Sequence, residues 1–271
     1  MSGWVKVHER LTLGKQLSNK LAGDYYSKIK LIYLPLWISM KKRLRLRTDK
    51  RVKVRMKENN STYNLFISES GDVDSLKEVF LNKEYEFETN TSPKVIFDLG
   101  SNCGISAIFF RLQYPDAKIY CFEPSPEVFK KLQTNVMQFD NIYTFNIAVS
   151  GKDGKEDFYV SPDNSLFSSL FQRLPDQKSI AIEGKTLDSL MNDLMVGEID
   201  ILKFDVEGAE LEVFRNFNKI SQVKYFIGEL HWDLIKGEKK DFLKIFDKFT
   251  IELQERTPQK ICMFRAIKNA N

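Results

Sequence analysis

Glycines and a carboxylate follow two successive hydrophobic runs in the middle of the chain, in a pattern that could bind a nucleoside. In DLGSNCG (98–104), Gly100 allows a sharp turn at the end of one run, and Gly104 leaves the backbone open to a close ligand. Glu123 ends the next run, 23 positions after Gly100, near the offset of about 20 residues at which an acid binds ribose hydroxyls in dinucleotide-binding folds. A tight turn without a ligand and a solvated Glu123 are the simpler alternatives.

The same loop favours one kind of nucleoside over another. It lacks the G-x-G-x-x-G pattern of dinucleotide binders, and no basic residue between Gly100 and Gly104 could meet a pyrophosphate. Because helix-terminus amides can also bind phosphate, this observation only weighs against NAD. A cationic nucleoside without phosphate, such as S-adenosylmethionine, fits an acidic pocket better.

A histidine and several acids form a second group. Asp205 and His231 fall at or just beyond the carboxyl ends of two hydrophobic runs, so they are expected to face one crevice. His231 is one of two histidines, and its ordinary pKa near 6.5 suits a general base that removes a proton from a hydroxyl. We predict His231 as that base, with Asp205 or Glu229 orienting it or the substrate hydroxyl. The alternative is an imidazole that only forms a hydrogen bond at a strand end.

The acids of this group have other uses as well. Glu207 and Glu210 could stabilise the N-terminus of the following helix. A divalent metal on Asp205, Glu207, Glu229 and His231 is chemically feasible, since carboxylates and imidazole suit Mg or Mn, but it is not favoured and no metal ligand is predicted.

Short apolar runs that alternate with helical periodicity are typical of βα units around a parallel sheet. The predicted strands are 94–100, 117–123, 141–149, 198–206 and 223–231, with a further candidate at 155–160 in an irregular stretch. The predicted helices are 105–114, 125–139, 186–194, 208–217 and 233–249. The last two runs, 249–255 and 260–268, predict an antiparallel hairpin that closes the sheet.

The first 57 residues differ in charge from the rest of the chain. They hold 16 Lys and Arg against 3 Asp and Glu, whereas the remainder holds 25 against 34. Within them, LIYLPLWISMKKRLRLR (31–47) places aromatic and aliphatic residues before a run of cations. This composition fits either a helix that packs on the core or an interfacial anchor on an anionic membrane. Its longest apolar stretch, 31–40, is about half the roughly 20 residues that span a bilayer.

Several motifs resemble the FkbM family of S-adenosylmethionine-dependent methyltransferases. They are IFDLGSNCGIS (96–106), CFEPSPEVF (121–129), NIAVSGKDGKEDFYV (146–160), IDILKFDVEGAELEVFRNF (199–217) and GELHWD (228–233), with a similar lead-in at 75–87. The resemblance extends from about Asp72 to the C-terminus and does not include the basic leader. KFDVEGAE is its most distinctive part.

The resemblance implies an α/β, Rossmann-like class I methyltransferase fold with a mostly parallel seven-stranded sheet and a C-terminal antiparallel hairpin. The composition of the leader adds a basic helical N-terminal extension. The domains expected are a basic extension at 1–57, a hairpin and helix covering the core at 58–93, and a cofactor-binding core at 94–271. The cofactor is S-adenosyl-L-methionine. Its expected binding residues are Gly100, Ser101, Asn102 and Gly104 for the methionine part, Glu123 for the ribose, Asn146 and Ala148 beside the adenine, and Asp205.

The expected activity is O-methylation of a hydroxyl on a glycan or lipid-linked saccharide. Among methyltransferase activities, N-methylation or a secondary-metabolite acceptor stays open. Outside the methyltransferases, the alternatives are an NAD-dependent oxidoreductase and a non-catalytic nucleic-acid-binding module. Three scattered cysteines indicate a reducing cytoplasm rather than a disulfide framework. Peripheral contact with an anionic membrane and a homo-oligomer are further expectations, whereas a nucleic-acid partner is not favoured.

Overall fold

The computed structural model describes residues 3–44, 51–161, 168–175, 177–235, 237–257 and 260–269. The helices are α1 (Gly3–Leu21), α2 (Tyr25–Arg43), α3 (Ser70–Leu76), α4 (Ile105–Gln113), α5 (Pro126–Val136), α6 (Leu187–Asp193), α7 (Glu210–Arg215) and α8 (Lys239–Ile245). A π-helical turn, Lys77–Leu81, continues α3, and a 3₁₀ turn spans Ile220–Gln222.

The strands form three sheets. They are β1 (Val52–Glu58), β2 (Ser61–Ile67), β3 (Val95–Leu99), β4 (Lys118–Phe122), β5 (Ile142–Phe145), β6 (Ala148–Val149), β7 (Gly154–Val160), β8 (Lys178–Lys185), β9 (Ile199–Phe204), β10 (Val223–His231), β11 (Phe249–Thr257) and β12 (Ile261–Lys268). The main sheet has seven strands in the order β11-β12-β10-β9-β3-β4-β5. In it, β12 pairs antiparallel with both neighbours and the other pairings are parallel. The predicted Rossmann-like fold with a closing hairpin is confirmed.

The sheet separates two hydrophobic clusters. Alternate side chains of β3 enter opposite clusters, with Ile96 in the one that holds residues of α4, α5 and the N-terminal helices, and Phe97 in the one that holds residues of α6, α7 and α8. Strand β9 is buried along its whole length. A strand covered on both faces reads as a continuous apolar run, which is why the sequence located it.

The N-terminal extension is a pair of packed helices. Asp24 caps α2 by accepting a hydrogen bond from the backbone N–H of Ser27 at 2.7 Å. At the helix crossing, a Cβ on Gly14 would lie 2.1 Å from the carbonyl oxygen of Ile32, so the close approach requires glycine. The expected helical extension is therefore present, and α2 packs one face on the protein. No helix among the described residues has the length and apolar character to cross a membrane.

Some local predictions differ from the structure. The predicted strand 141–149 divides into β5 in the main sheet and β6, which pairs with β8 in a three-stranded sheet. Strand β8 itself was not predicted. The helix predicted over 233–249 is confined to α8, because the chain turns at Gly237 and Glu238 is extended. The boundary expected after residue 57 falls inside β1. Residues 45–47 of the leader and 258–259 of the closing hairpin lie outside the described residues.

Candidate functional site

The loop after β3 turns back over the edge of the sheet. Gly100 has a φ of 70°, and a Cβ at this position would lie 2.0 Å from the carbonyl oxygen of Asp205. Gly104 has a φ of 90°, and a Cβ there would lie 2.9 Å from Leu132 Cδ1. Left-handed backbone and close neighbours together require glycine at both positions.

Buried polar groups hold this loop from below. Ser101 is 1% exposed, and its hydroxyl donates to the carbonyl of Asp98 at 2.7 Å. The Asp98 carboxylate accepts from the Ser106 hydroxyl at 2.6 Å and faces the ammonium of Lys203. The side chain of Ser101, which was predicted to bind the cofactor, is thus used within its own loop.

Glu123 joins the end of β4 to the loop. Its Oε2 accepts from the backbone N–H of Asn102 and its Oε1 from that of Ser125, each at 2.9 Å. Burial raises the pKa of Glu123 to about 7, although both hydrogen bonds oppose the shift. The predicted acid therefore lies buried, directly beside the glycine loop.

The two residues predicted beside the adenine have different positions. The exposed Asn146 amide donates to the carbonyls of Glu123 and Pro124 at 2.8 and 2.9 Å, so it supports the turn after β4. Ala148 is buried and lines a cavity.

That first cavity lies between the glycine loop and the three-stranded sheet. It is lined by Gly100, Asn102, Phe122, Glu123, Pro124, Val128, Ala148, Val149, Phe158, Ser168, Ser169, Leu170, Asp205, Val206 and Glu207. Asn102 Oδ1 and Asp205 Oδ1 are buried without a hydrogen-bond partner among the described residues. The cavity therefore offers two unused acceptors for a ligand that donates hydrogen bonds.

A second, more acidic cavity adjoins the first. Its charged lining residues are Glu78, Arg173, Lys203, Asp205, Glu207, Glu229 and His231. Gly100, Asn102, Asp205 and Glu207 line both cavities, so these residues mark where the two meet. A ligand in one cavity would lie next to a ligand in the other.

His231 lies at the centre of the acids around the second cavity. Its Nδ1 is 2.8 Å from Oε1 of Glu210, which is fully buried. Its Nε2 lies 3.6 Å from Glu207 Oε2 and 3.9 Å from both Asp205 Oδ1 and Glu229 Oε2. One ring nitrogen is thus fixed, and the other faces three carboxylates across the cavity.

These surroundings change the pKa of the histidine. Burial alone lowers it, but the hydrogen bond to Glu210 and the charges of Glu210, Glu207 and Asp205 outweigh burial and raise the pKa of His231 to about 10. The ordinary pKa near 6.5 therefore does not apply to His231, because the fold places four carboxyl groups around its ring. At neutral pH the ring carries a proton.

Burial also affects the acids. It raises the pKa of Glu207 and of Glu78 to about 7, and it raises that of Glu229 well above its usual range with the help of Asp205 and Glu78. Arginines compensate part of the charge, because Arg173 donates to Glu207 and Arg256 to Glu229, each at 2.6 Å. The result is a cavity that favours protonated or cationic groups.

The structure brings the predicted Asp205, Glu229 and His231 together. The partner that orients the imidazole is Glu210, rather than Asp205 or Glu229. The sequence places Glu210 at the start of the helix that follows β9 and Asp205, but the packing of the neighbouring β10 is what brings it to His231. Arg173, Arg256 and Glu78 were not predicted, because they come from elements whose approach to the site depends on tertiary packing.

Donor atoms suitable for a metal are also close together. Two groups of three residues each offer one donor atom per residue, and the three atoms of each group lie within 4.8 Å of one another. The first group is Asp205, Glu207 and His231, and the second is Glu78, Glu84 and Glu229. The second group already contacts Arg256 through Glu84 and Glu229. The first group could hold a divalent metal only when the His231 ring is neutral, because protein ligands bind metals in their deprotonated form.

The polar and aromatic stretch between β7 and β8 is only partly described. Asn164, Ser165 and Phe167 lie outside the described residues. Ser168 and Ser169 line the first cavity. These two serines therefore face the predicted cofactor space.

Comparison with known proteins identifies related sequences. The methyltransferase FkbM domain matches residues 98–257 of this chain. Methyltransferase 1 of Beauveria bassiana is 27% identical over 188 residues, which are 59% of this chain and 68% of that protein.

Two further relatives have names that state a position or a substrate. The 2-O-methyltransferase NoeI of Sinorhizobium fredii is 30% identical over 136 residues, covering 44% of this chain and 55% of NoeI. The hexuronic acid methyltransferase AglP of Haloferax volcanii is 27% identical over 156 residues, covering 57% of this chain and 62% of AglP. The match thus spans little more than half the length of these two relatives.

Proposed function

This chain belongs to the FkbM family of S-adenosylmethionine-dependent methyltransferases, and we propose that it methylates a hydroxyl group of a saccharide. The observation that carries the proposal is the junction of the two cavities. A cavity beside Glu123 and the glycine loop meets an acidic cavity around His231 at Gly100, Asn102, Asp205 and Glu207. Such a junction lets a methyl donor and an acceptor lie in contact, which supplies much of the acceleration of a displacement reaction.

The first cavity fits the cofactor. The buried Glu123 carboxylate suits ribose hydroxyls, and the unused oxygens of Asn102 and Asp205 suit the ammonium of a methionine part. Ala148 would border the adenine, while Gly100 and Gly104 keep the backbone free of side chains. When bound, S-adenosylmethionine supplies a methyl group on a positively charged sulfur.

His231 is the residue that we propose as the proton acceptor. Its Nε2 faces the second cavity, and Glu210 holds the ring by Nδ1. As the ring takes a proton from a hydroxyl, the surrounding carboxylates stabilise the imidazolium that forms. The ring must first be neutral, so its high pKa makes the active form a minority at neutral pH.

Asp205 and Glu229 have positioning roles in this proposal. Asp205 lines both cavities and presents a buried oxygen that can accept a hydrogen bond from a neighbouring hydroxyl of the saccharide. Glu229 is held by Arg256 through Oε1, and its Oε2, 3.9 Å from His231 Nε2, can accept one from another hydroxyl of the saccharide. Together they would hold the acceptor oxygen between His231 and the first cavity.

A saccharide is the acceptor class that these features support. The second cavity combines hydroxyl, carboxyl and guanidinium groups with the ring of Tyr85, a mixture that suits a hydroxyl-rich ligand. The names of NoeI and AglP, a 2-O-methyltransferase and a hexuronic acid methyltransferase, point the same way. If the saccharide is lipid-linked, peripheral contact with a membrane belongs to the same proposal.

The test is to incubate the protein with methyl-labelled cofactor and a panel of neutral sugars, uronic acids, lipid-linked saccharides and amino sugars. We expect label on a hydroxyl oxygen, located by fragmentation mass spectrometry. The His231→Gln variant is the matched control, because it should bind the cofactor and leave the acceptors unlabelled. Label confined to nitrogen would replace this proposal with N-methylation.

A further inference from the structure

Helix α2 is apolar on the face that it turns to solvent. It buries Leu31, Leu34 and Ile38 against the protein, as an amphipathic helix does. On the opposite side Tyr26, Ile29, Tyr33, Met40 and Leu44 are exposed, with Tyr26 at 76% and Tyr33 at 56%. At 100° per residue these five side chains form one stripe along the helix, which we call the aromatic stripe. An ordinary surface helix carries polar residues there.

The charged residues of α2 itself have one sign. Residues 25–44 contain no Asp or Glu. Lys28, Lys30, Lys42 and Arg43 are exposed in this helix. The neighbouring strand β1 adds exposed Lys53, Arg55 and Lys57. A second copy of the chain would bring the same cations to the same face, so self-association is disfavoured, whereas an anionic surface is complementary.

Apolar rings flanked by cations match one kind of surface in particular. Tyrosine rings sit at headgroup depth in a bilayer, aliphatic side chains enter the acyl boundary, and Lys and Arg attract acidic headgroups. We propose that the aromatic stripe of α2 binds the surface of an anionic membrane, with its flanking Lys and Arg contacting the headgroups.

The helix that carries the stripe packs on a segment that lines the second cavity. Helix α1 packs on the π-helical turn Lys77–Leu81, and α2 packs on α3. The same segment contributes Ser75, Glu78 and Val79 to the lining of the second cavity. The inference deepens the proposed function, because membrane binding would bring a lipid-linked saccharide to this cavity. Only the identification of the acceptor as a lipid-linked saccharide rests on the proposed function, whereas membrane binding by the stripe does not.

The experiment is flotation of the full chain with vesicles of phosphatidylcholine alone and of phosphatidylcholine with about a third phosphatidylglycerol. We expect binding to the anionic vesicles that weakens as salt increases. Tyr26→Ser, Ile29→Ser and Tyr33→Ser combined should reduce the binding at least about tenfold, since they remove most of the apolar area that enters the bilayer.

The matched control is Met137→Ser with Met195→Ser, which removes two exposed apolar side chains from other parts of the surface, 79% and 93% exposed. This control should bind vesicles like the unchanged protein. Thermal unfolding and S-adenosylmethionine affinity confirm that each variant is folded. Unchanged flotation of the stripe variant, or a dimer in solution that depends on the stripe, would overturn the proposal. Flotation requires no methyl transfer, so the reaction assigned to the cavities can fail without affecting this result.

Discussion

Lys203 Nζ lies 3.1 Å from Asp98 Oδ1 in the interior of the protein, where it joins the end of β9 to the end of β3. The two residues are 2% and 0% exposed. Burial alone lowers the pKa of Lys203, but Asp98 and Asp205 outweigh burial and raise it, so the ammonium stays charged. The same ammonium donates to the carbonyl of Gly100 at 2.8 Å. A buried ion pair thus positions the glycine loop that both cavities share.

Removing the cation of this pair should be costly. We expect Lys203→Met to lower the free energy of unfolding by about 3–5 kcal/mol, because Asp98 is left as a buried charge without compensation. Urea unfolding measures the change. Asp98→Asn combined with Lys203→Met should recover part of the loss. Lys240→Met is the control, since this exposed lysine pairs with the exposed Glu238 at the surface. Equal losses in Lys203→Met and the control would contradict a special role for the buried pair.

The strand ends were predictable from sequence because a buried parallel strand is a continuous apolar run, and the residue after it must lie at the sheet edge. That reasoning located Gly100, Glu123, Asp205 and His231. It did not pair His231 with Glu210, because their distance depends on how β10 packs beside the turn into α7. It also missed β8, whose residues Ser179, Glu183 and Lys185 are polar and half-exposed or exposed, so no apolar run marks the strand.

Cofactor affinity should depend on Glu123. We expect Glu123→Ala to weaken S-adenosylmethionine binding by about 10- to 100-fold, since it removes the carboxylate for the ribose and frees the backbone N–H groups of Asn102 and Ser125. Calorimetric titration with S-adenosylmethionine and S-adenosylhomocysteine checks this. Glu127→Ala, on the following helix, is the control and should bind normally. Unchanged affinity in Glu123→Ala would mean that the ribose binds at another place.

The proton on His231 can be observed directly. In the cofactor-free protein its imidazole signals should titrate near pH 10 in nuclear magnetic resonance spectra, and a His8→Gln variant assigns them. Glu210→Gln should lower this pKa, because it removes a negative charge and a charged hydrogen-bond partner. Because the folded protein binds this proton more tightly than the unfolded chain does, protonation of His231 stabilises the fold. This contribution to the free energy of unfolding is present below about pH 6.5 and is lost as the pH rises through about 10. Titration near 6.5 in the unchanged protein would contradict this account of the site.

Chelation should have little effect on the reaction. At neutral pH the His231 imidazolium already places a positive charge among Asp205, Glu207 and Glu229, and Arg173 and Arg256 pair with two of these acids. We therefore expect EDTA to change kcat by less than about twofold. Assays with and without added Mg²⁺ or Mn²⁺ check this. Loss of activity on chelation, restored by either ion, would assign the donors of Asp205, Glu207 and His231 to a metal.

Methyl transfer should become faster as the pH rises if His231 is the base. A base works only without its proton, and the His231 pKa of about 10 leaves the ring mostly protonated at pH 7. Below this pKa, kcat should increase by about tenfold per pH unit in the cofactor-saturated enzyme. Glu210→Gln should shift this increase of kcat to lower pH, since it lowers the pKa of the same ring.

His231→Gln should lower kcat at least about 100-fold and abolish its increase with pH, with little change in cofactor affinity. If His231→Gln lowered kcat but kept the increase of kcat with pH, another group would be the base and His231 would be a positioning residue.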